Sequence, residues 1–521
     1  MQPPQPGRGK NYVIPPLRAG NAAEKYAAST AARVHNRRSV IGTVRGRETM
    51  RKFLSAASFC TLLVGPAFAA DMPTKAPPPP PAGYSWTGFY LGLNGGYGVG
   101  RNASNTTNFT NPPPGTLQFV DSFRLVPEGW SGGIQAGYNW QIDRWVLGAE
   151  LDFQGANQKD SACIVCSPVG GGFLVEQKMP WYGTVRARLG WAAGPVLSYV
   201  TAGWAFARIN NDLTIFVPTF PTTGTSTHET KSGWTIGTGV EAALAGNWTA
   251  KVEYLYMDLG TTSVPFTTSG TGGSRTALES EIRNRIVRVG LNYRIGPTTG
   301  TGSATSPAPT FRNWAGFYAG ANGGYGVARD PSQLLVSLGG VLTTADQWKE
   351  SPGGYFGGVQ AGYAWQASNF VYGLEADFQG GNLKDSACVS ACGGTVPEVV
   401  DQKIKWFGTA RARLGYTTGP ALFYLTGGFA YANVKTTLTN FFAGTVTTAA
   451  VSDNKGGWTV GGGAETALWG NWTAKTEYLY MDLGSTSLGA STTVAGVGTL
   501  SQALTSDIRV HVFRGGVNYH F

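Results

Sequence analysis

The chain has no uninterrupted apolar run of about 18 residues, so nothing in it can cross a bilayer as a helix. Only 13% of its 521 residues are charged, which argues against a soluble helical domain. Its four histidines are too sparse for a catalytic argument. His228 lies in a long polar stretch and His520 on the last apolar-alternating run. No Ser/His/Asp cluster, phosphate loop or nucleotide fingerprint occurs, and the Gly-Gly-x-Gly runs sit on strand-like segments, where Gly leaves room for bulky neighbours. What the chain has in quantity is 75 Gly, 16 Trp, 22 Tyr and 25 Phe, a composition that suits strands joined by polar connections.

The net charge of +10 is misleading. Residues 1–49 hold nine Lys and Arg against two Glu, and Arg51 and Lys52 add two more cations, so the remainder carries about +1. A basic nucleic-acid-binding surface is not expected. Met50-Arg51-Lys52 reads as the basic start of a secretion signal, Phe53 to Val64 as its apolar region, and Ala67-Phe68-Ala69 as the cleavage site, with Ala69 last to be removed. Residues 1–49 read as a wrongly assigned start or an unstructured leader, the rival being an extended export signal. Residues 50–69 are then the signal peptide and 70–84 a Pro-rich linker.

The rest is one unit written twice. Trp86-Thr87-Gly88-Phe89-Tyr90 recurs as Trp314-Ala315-Gly316-Phe317-Tyr318, and Arg186-Ala187-Arg188-Leu189-Gly190 as Arg411-Ala412-Arg413-Leu414-Gly415. Glu253-Tyr254-Leu255-Tyr256-Met257-Asp258 recurs as Glu477-Tyr478-Leu479-Tyr480-Met481-Asp482. The expected units are 85–296 and 311–521, joined by a Gly/Thr/Ser/Pro linker at 297–310.

Each unit shows eight strand-like runs. In the first they lie near 88–99, 129–140, 145–155, 178–191, 196–209, 233–244, 248–258 and 284–295. Tight turns alternate with long polar stretches at 100–128, 156–177, 210–232 and 259–283, read as loops. Such alternation matches the two ends of an outer-membrane barrel. The period of two assigns faces. Trp145, Leu147, Ala149, Leu151 and Phe153 oppose Glu150, Asp152 and Gln154. Val185, Leu189 and Trp191 oppose Arg186 and Arg188, and Val287, Val289, Leu291 and Tyr293 oppose Arg288 and Asn292. The run 196–209 alternates too poorly to assign. At the end of the chain Phe513, Val517, Tyr519 and Phe521 oppose Arg514, Asn518 and His520. Broad aromatic faces against charged ones favour apolar-out and polar-in. The fold class is therefore all-β: two tandem eight-stranded antiparallel transmembrane barrels, or alternatively one sixteen-stranded barrel.

The inward charges balance. Glu150, Asp152, Glu241 and Glu253 face Arg186, Arg188, Lys251 and Arg288 in the first copy. Glu375, Asp377, Glu465 and Glu477 face Arg411, Arg413, Lys475 and Arg514 in the second. An eight-stranded interior is about wide enough for side chains, and an unpaired charge there is costly, so these groups are expected to pack as pairs. The alternative is a narrow ion path. Cys60 leaves with the signal. Cys163 with Cys166, and Cys388 with Cys392, are expected to form small-loop disulfides in an oxidising compartment, since no further Cys or His nearby supports a metal site.

Ala69 to Pro77, Trp86 to Gly92, Asn94 to Tyr97, Arg186 to Gly190, Glu253 to Gly260 and the last strand together resemble the outer-membrane immunogenic protein family of alphaproteobacteria, which are small OmpA-like eight-stranded barrels. The resemblance covers nearly all of 70–521. It implies a surface-exposed structural or porin-like protein in the outer membrane of a Gram-negative bacterium. Outer-membrane lipid, lipopolysaccharide and the barrel-assembly machinery are the implied partners, the last reading Phe521, with a host or surface ligand at the loops. It implies no catalytic residues, cofactor or metal. Two departures stand out: the family usually has one barrel per chain, and the first copy closes on Ile295, not Phe.

Overall fold

A computed structural model describes residues 84–521 apart from 111–116, 168–170, 218–219, 269–273, 297–312, 390–391, 393–397 and 443. The signal at 50–69, the leader at 1–49 and the linker at 297–310 lie outside the described residues. The first copy builds β1 (Gly88–Gly100), β2 (Asn102–Thr110), β3 (Leu117–Leu125), β4 (Glu128–Ile142), β5 (Trp145–Ser167), β6 (Gly171–Ala193), β7 (Val196–Val217), β8 (Phe220–Ala243), β9 (Trp248–Thr268) and β10 (Ser274–Ile295). The second repeats this as β11 (Gly316–Ala328), β12 (Asp330–Leu338), β13 (Val341–Glu350), β14 (Gly353–Ala367), β15 (Phe370–Val389), β16 (Glu398–Thr417), β17 (Ala421–Phe442), β18 (Thr445–Ala467), β19 (Trp472–Val494) and β20 (Gly498–His520).

Sixteen of these strands close into two antiparallel rings of eight. β1 pairs with β4 on one edge and with β10 on the other, Phe89 lying between Tyr138 and Ile295. β4 to β10 then pair in order. β11 closes the second ring in the same way, between β14 and β20. A single sixteen-stranded barrel would need β10 to pair with β11 and β1 with β20; instead each copy's first strand meets its own last strand. Tight turns on one side need a left-handed residue, supplied by Asp143 (φ 53°) and Ser368 (φ 54°) in matching hairpins. Asp and Ser tolerate this because their short side chains bond locally.

The apolar faces point outward. Trp145, Leu151, Val185, Trp204 and Ile236 are exposed, while Glu150, Asp152, Arg186 and Arg188 are buried in the ring. Two levels of exposed aromatics mark the lipid boundary. Trp140, Trp145, Trp191 and Trp248 lie near the tight turns; Trp130, Trp204 and Trp234 lie farther up. Trp130 and Trp140 stand ten residues apart on β4. At ~3.3 Å per residue and a tilt of ~40° this gives a band of ~25 Å.

The strands do not stop there. β5 to β10 run 21–24 residues, about twice what a bilayer needs. The stretches 156–177, 210–232 and 259–283, read from sequence as loops, are largely the outer halves of these strands, and 100–128 contains the hairpin β2–β3. Above the membrane both faces meet water or a neighbouring sheet. The outer face there needs no apolar side chains, so the two-residue signal fades while Thr- and Ser-rich ladders persist. The β7–β8 hairpin leaves the ring, since pairing of β8 with β9 ends at Trp234↔Asp258; β18 and β19 part at the equivalent Trp458↔Asp482.

The run at 196–209 is β7, with Leu197, Tyr199 and Thr201 inside and Val200 and Trp204 outside. Its alternation is weak because apolar and aromatic residues face inward as well.

Candidate functional site

Inside each ring the parity of the strands brings the predicted charges to one level. In the first copy Arg186 on β6 is the hub. It pairs with Glu150 on β5, with Asp152 at 2.9 Å and with Glu253 on β9 at 3.0 Å. Arg288 on β10 reaches Asp152 at 2.9 Å and Glu253 at 2.7 Å. Lys251 reaches Glu150 at 2.9 Å, and Arg188 reaches Glu241 at 2.7 Å. The second copy repeats the arrangement. Arg411 meets Glu375 at 2.5 Å, Asp377 at 2.9 Å and Glu477 at 3.0 Å. Arg514 meets Asp377 at 2.8 Å, Lys475 meets Glu375 at 2.8 Å, and Arg413 meets Glu465 at 2.8 Å. The side chains of this network are almost fully buried. Each carboxylate therefore accepts from at least one cation in a space that excludes water, where its remaining lone pairs also need partners.

Neutral groups supply those partners. Thr184 donates to Asp152 at 2.6 Å, and Asn292 to Glu241 at 2.8 Å. Two tyrosines missed in the sequence reading complete the set. Tyr90 donates to Glu150 at 2.7 Å and Tyr199 to Glu253 at 2.9 Å, and Arg188 lies 3.9 Å from the Tyr199 ring centre. Tyr318 and Tyr424 repeat these roles. An aromatic residue on the polar parity of a strand is the signal that could have found them.

A second cluster lies above the membrane, where the copies exchange hairpins. β13 of the second copy pairs with β5 of the first at Gln347↔Cys163, and β3 of the first with β15 of the second at Cys388↔Ser122. The contacts are reciprocal. Asp385 binds Arg101 at 3.2 Å and Arg124 at 3.0 Å; Asp160 binds Arg329 at 3.1 Å and Lys349 at 2.9 Å. Cys163 is bonded to Cys166 with Cα atoms 5.8 Å apart, and Cys388 to Cys392 with 6.0 Å. Both small loops face the exchanged hairpins: the Cys166 amide donates to Asp346 at 2.6 Å and the Val120 amide to the Cys392 carbonyl at 2.9 Å. Phe123, Leu125, Ile164, Trp348 and Val389 form an apolar core drawn from both copies.

At the foot of β12 the copies differ. In the first, Asn102 accepts from the Arg283 amide at 2.9 Å and donates to Gln177. In the second, Asp330 accepts from the Arg509 amide at 2.7 Å, but its other oxygen and the Gln402 side-chain carbonyl oxygen are buried without partners among the described residues. Burial pushes the Asp330 carboxyl well above the usual carboxylate range, and does the same to Glu350 nearby.

Among the described residues no group of three or more His, Cys, Asp or Glu is placed to hold a metal ion. His228 is exposed on β8, and His520 lies 3.4 Å from Glu465.

A family model for the outer membrane protein beta-barrel domain matches twice, over residues 60–294 and 298–521. The 31 kDa outer-membrane immunogenic protein of Brucella melitensis is 37% identical over 249 residues, covering 47% of this chain and 99% of that protein. The 25 kDa outer-membrane immunogenic protein of Brucella abortus is 31% identical over 235 residues, covering 44% of this chain and 90% of that protein. Among solved structures, the outer membrane protein OprG of Pseudomonas aeruginosa matches at 16% identity and a TM-score of 0.28, over 40% of this chain and 97% of that one. The two closed rings, their outward aromatic bands and the doubled match place the chain in the outer membrane protein beta-barrel family, whose domain it carries twice.

Proposed function

We propose that the chain is a structural surface protein of the outer membrane: two sealed barrels that anchor one joined outer sheet for envelope integrity or surface contact. The observation that carries this reading is the lumen network. In each copy four carboxylates and four cations are buried against one another at membrane depth, and removing such groups from contact leaves a buried charge costing several kcal/mol. A lumen held this way resists opening for solutes. The outer sheet, tied by two reciprocal ion-pair sets and two disulfides, is a stiff platform for a host or surface ligand. Lipopolysaccharide around the rings and the assembly machinery acting on β20 and Phe521 are the expected partners. Liposome swelling tests the sealed lumen: vesicles carrying the refolded full chain should not swell in arabinose or glucose. Swelling comparable to that given by a general porin would favour the alternative, a channel for small solutes.

A further inference from the structure

The contacts between the two copies are reciprocal, and beside β1 and β11 this reciprocity fails. On β1, Val99 lies between Glu128 and Arg285; on β11, Val327 lies between Gly353 and His511. Glu128 and Gly353 are therefore equivalent, as are Arg285 and His511. Around Glu128 the charges are satisfied: it binds Arg329 at 3.1 Å and lies 3.4 Å from His511, both from the other copy. On the opposite side the same places hold Arg101, Arg285 and Gly353. Two guanidiniums remain and the carboxylate is gone. A Cβ on Gly353 would meet Arg101 Nε at 2.6 Å, so Arg101 fills the space a side chain would have taken.

Arg101 still has Asp385. Arg285 has no ion pair among the described residues. It is 7% exposed, and its guanidinium lies 4.5 Å from the Tyr325 ring centre and 5.2 Å from that of Tyr256. Its Nη1 has no hydrogen-bond partner among the described residues. Such a buried cation calls for an anion.

It also borders a cavity of about 860 Å³ between the copies. Arg101, Arg283 and Arg285 line it, with Trp234, Tyr254, Tyr256, Tyr355 and Phe513 as aromatic walls. Arg283 is already paired with Asp258 and Glu281. Glu253 and Glu477, which also border the space, are held by the lumen cations. The free cation sits at the level of the upper aromatics Trp234 and Tyr355, where lipid headgroups lie, and the aromatic walls run below it into the apolar band.

We propose that this cavity binds one phosphorylated lipid of the outer leaflet, with a phosphate on Arg285 and Arg101 and an acyl chain along the aromatic wall. Charge-assisted, forked contacts from Arg suit phosphate. The site is independent of whether the lumens conduct, since it lies outside both rings.

The test uses the full chain refolded in a zwitterionic detergent and titrated with diphosphorylated lipid A, read by native mass spectrometry. One tightly retained lipid per chain is expected, with fully dephosphorylated lipid A at least about tenfold weaker. Millimolar inorganic phosphate should not displace it. Arg285→Gln and Gly353→Glu, each checked for heat-modifiable gel mobility, should each weaken retention at least about tenfold. Glu128→Gln with His511→Arg should create a second site and raise the count to two. Unchanged retention in folded Gly353→Glu, equal binding of the dephosphorylated lipid, or displacement by phosphate alone would overturn the proposal. If Arg285→Gln does not fold, Gly353→Glu and the gained second site decide the matter.

Discussion

Replacing Asp330 with Asn should stabilise this protein, and by more at alkaline than at acid pH. The first copy already carries the amide: Asn102 occupies the equivalent place and donates to Gln177. Asp330 cannot donate when ionised, so its free oxygen and the Gln402 side-chain carbonyl are both left buried and unpaired. The introduced amide would restore one hydrogen bond, worth about 1 kcal/mol net, and remove an unsatisfied pair costing about 1–3 kcal/mol. A gain of about 2 kcal/mol is expected at pH 8. The sign of the pH dependence follows from the raised carboxyl. A pKa higher in the folded state than in the unfolded chain gives stability that is complete below about pH 4 and is lost as pH rises through the folded value. The unsubstituted chain should therefore weaken between pH 4 and 8, and Asp330→Asn should weaken less. Glu350, raised in the same direction by burial, leaves part of the slope in place. The assay is guanidinium unfolding in detergent, followed by circular dichroism at pH 4.5 and 8. Asn102→Asp should show the mirror loss. A destabilised Asp330→Asn at pH 8, or the same gain at both pH values, would refute the reasoning.

Three further outcomes follow from the same contacts. Arg186→Met strips a shared cation from Glu150, Asp152 and Glu253; it should lower stability by about 3–5 kcal/mol, seen as a sharp fall in the temperature at which heat-modifiable mobility is lost, with Arg186→Lys intermediate. Peptide mapping without reduction should recover Cys163 linked to Cys166 and Cys388 linked to Cys392; free thiols at all four positions would remove the bonds from the account. Residues 311–521 alone should refold as an eight-stranded barrel. Their β12–β13 hairpin, deprived of β5, should be cut by protease faster than in the full chain.

The ring architecture was largely legible because lipid imposes a strict rule. Where one face must be apolar, as in Trp145 to Phe153, a period of two reveals both faces. The same parity put Glu150, Arg186 and Arg288 on one side, and these side chains are in contact. Legibility failed where the rule lapses. Above the membrane, Thr- and Ser-rich ladders such as 220–232 look like loops, because no solvent gradient crosses them. The sequence assigns Tyr90 no face, and the run that holds Tyr199 alternates too poorly to assign one, although both hydroxyls serve buried carboxylates. The exchange of hairpins was invisible for a different reason. Asp160 with Arg329, and Asp385 with Arg101, are contacts between copies, and two copies of one sequence cannot show which partner a residue takes.

The central claim is that the chain makes two sealed rings and not one wide pore. Single-channel recording on the full chain in a planar bilayer tests it most directly. Insertion confirmed by protease protection, with no stable conductance step, is the predicted result. A uniform, long-lived, large conductance for each inserted molecule would contradict it.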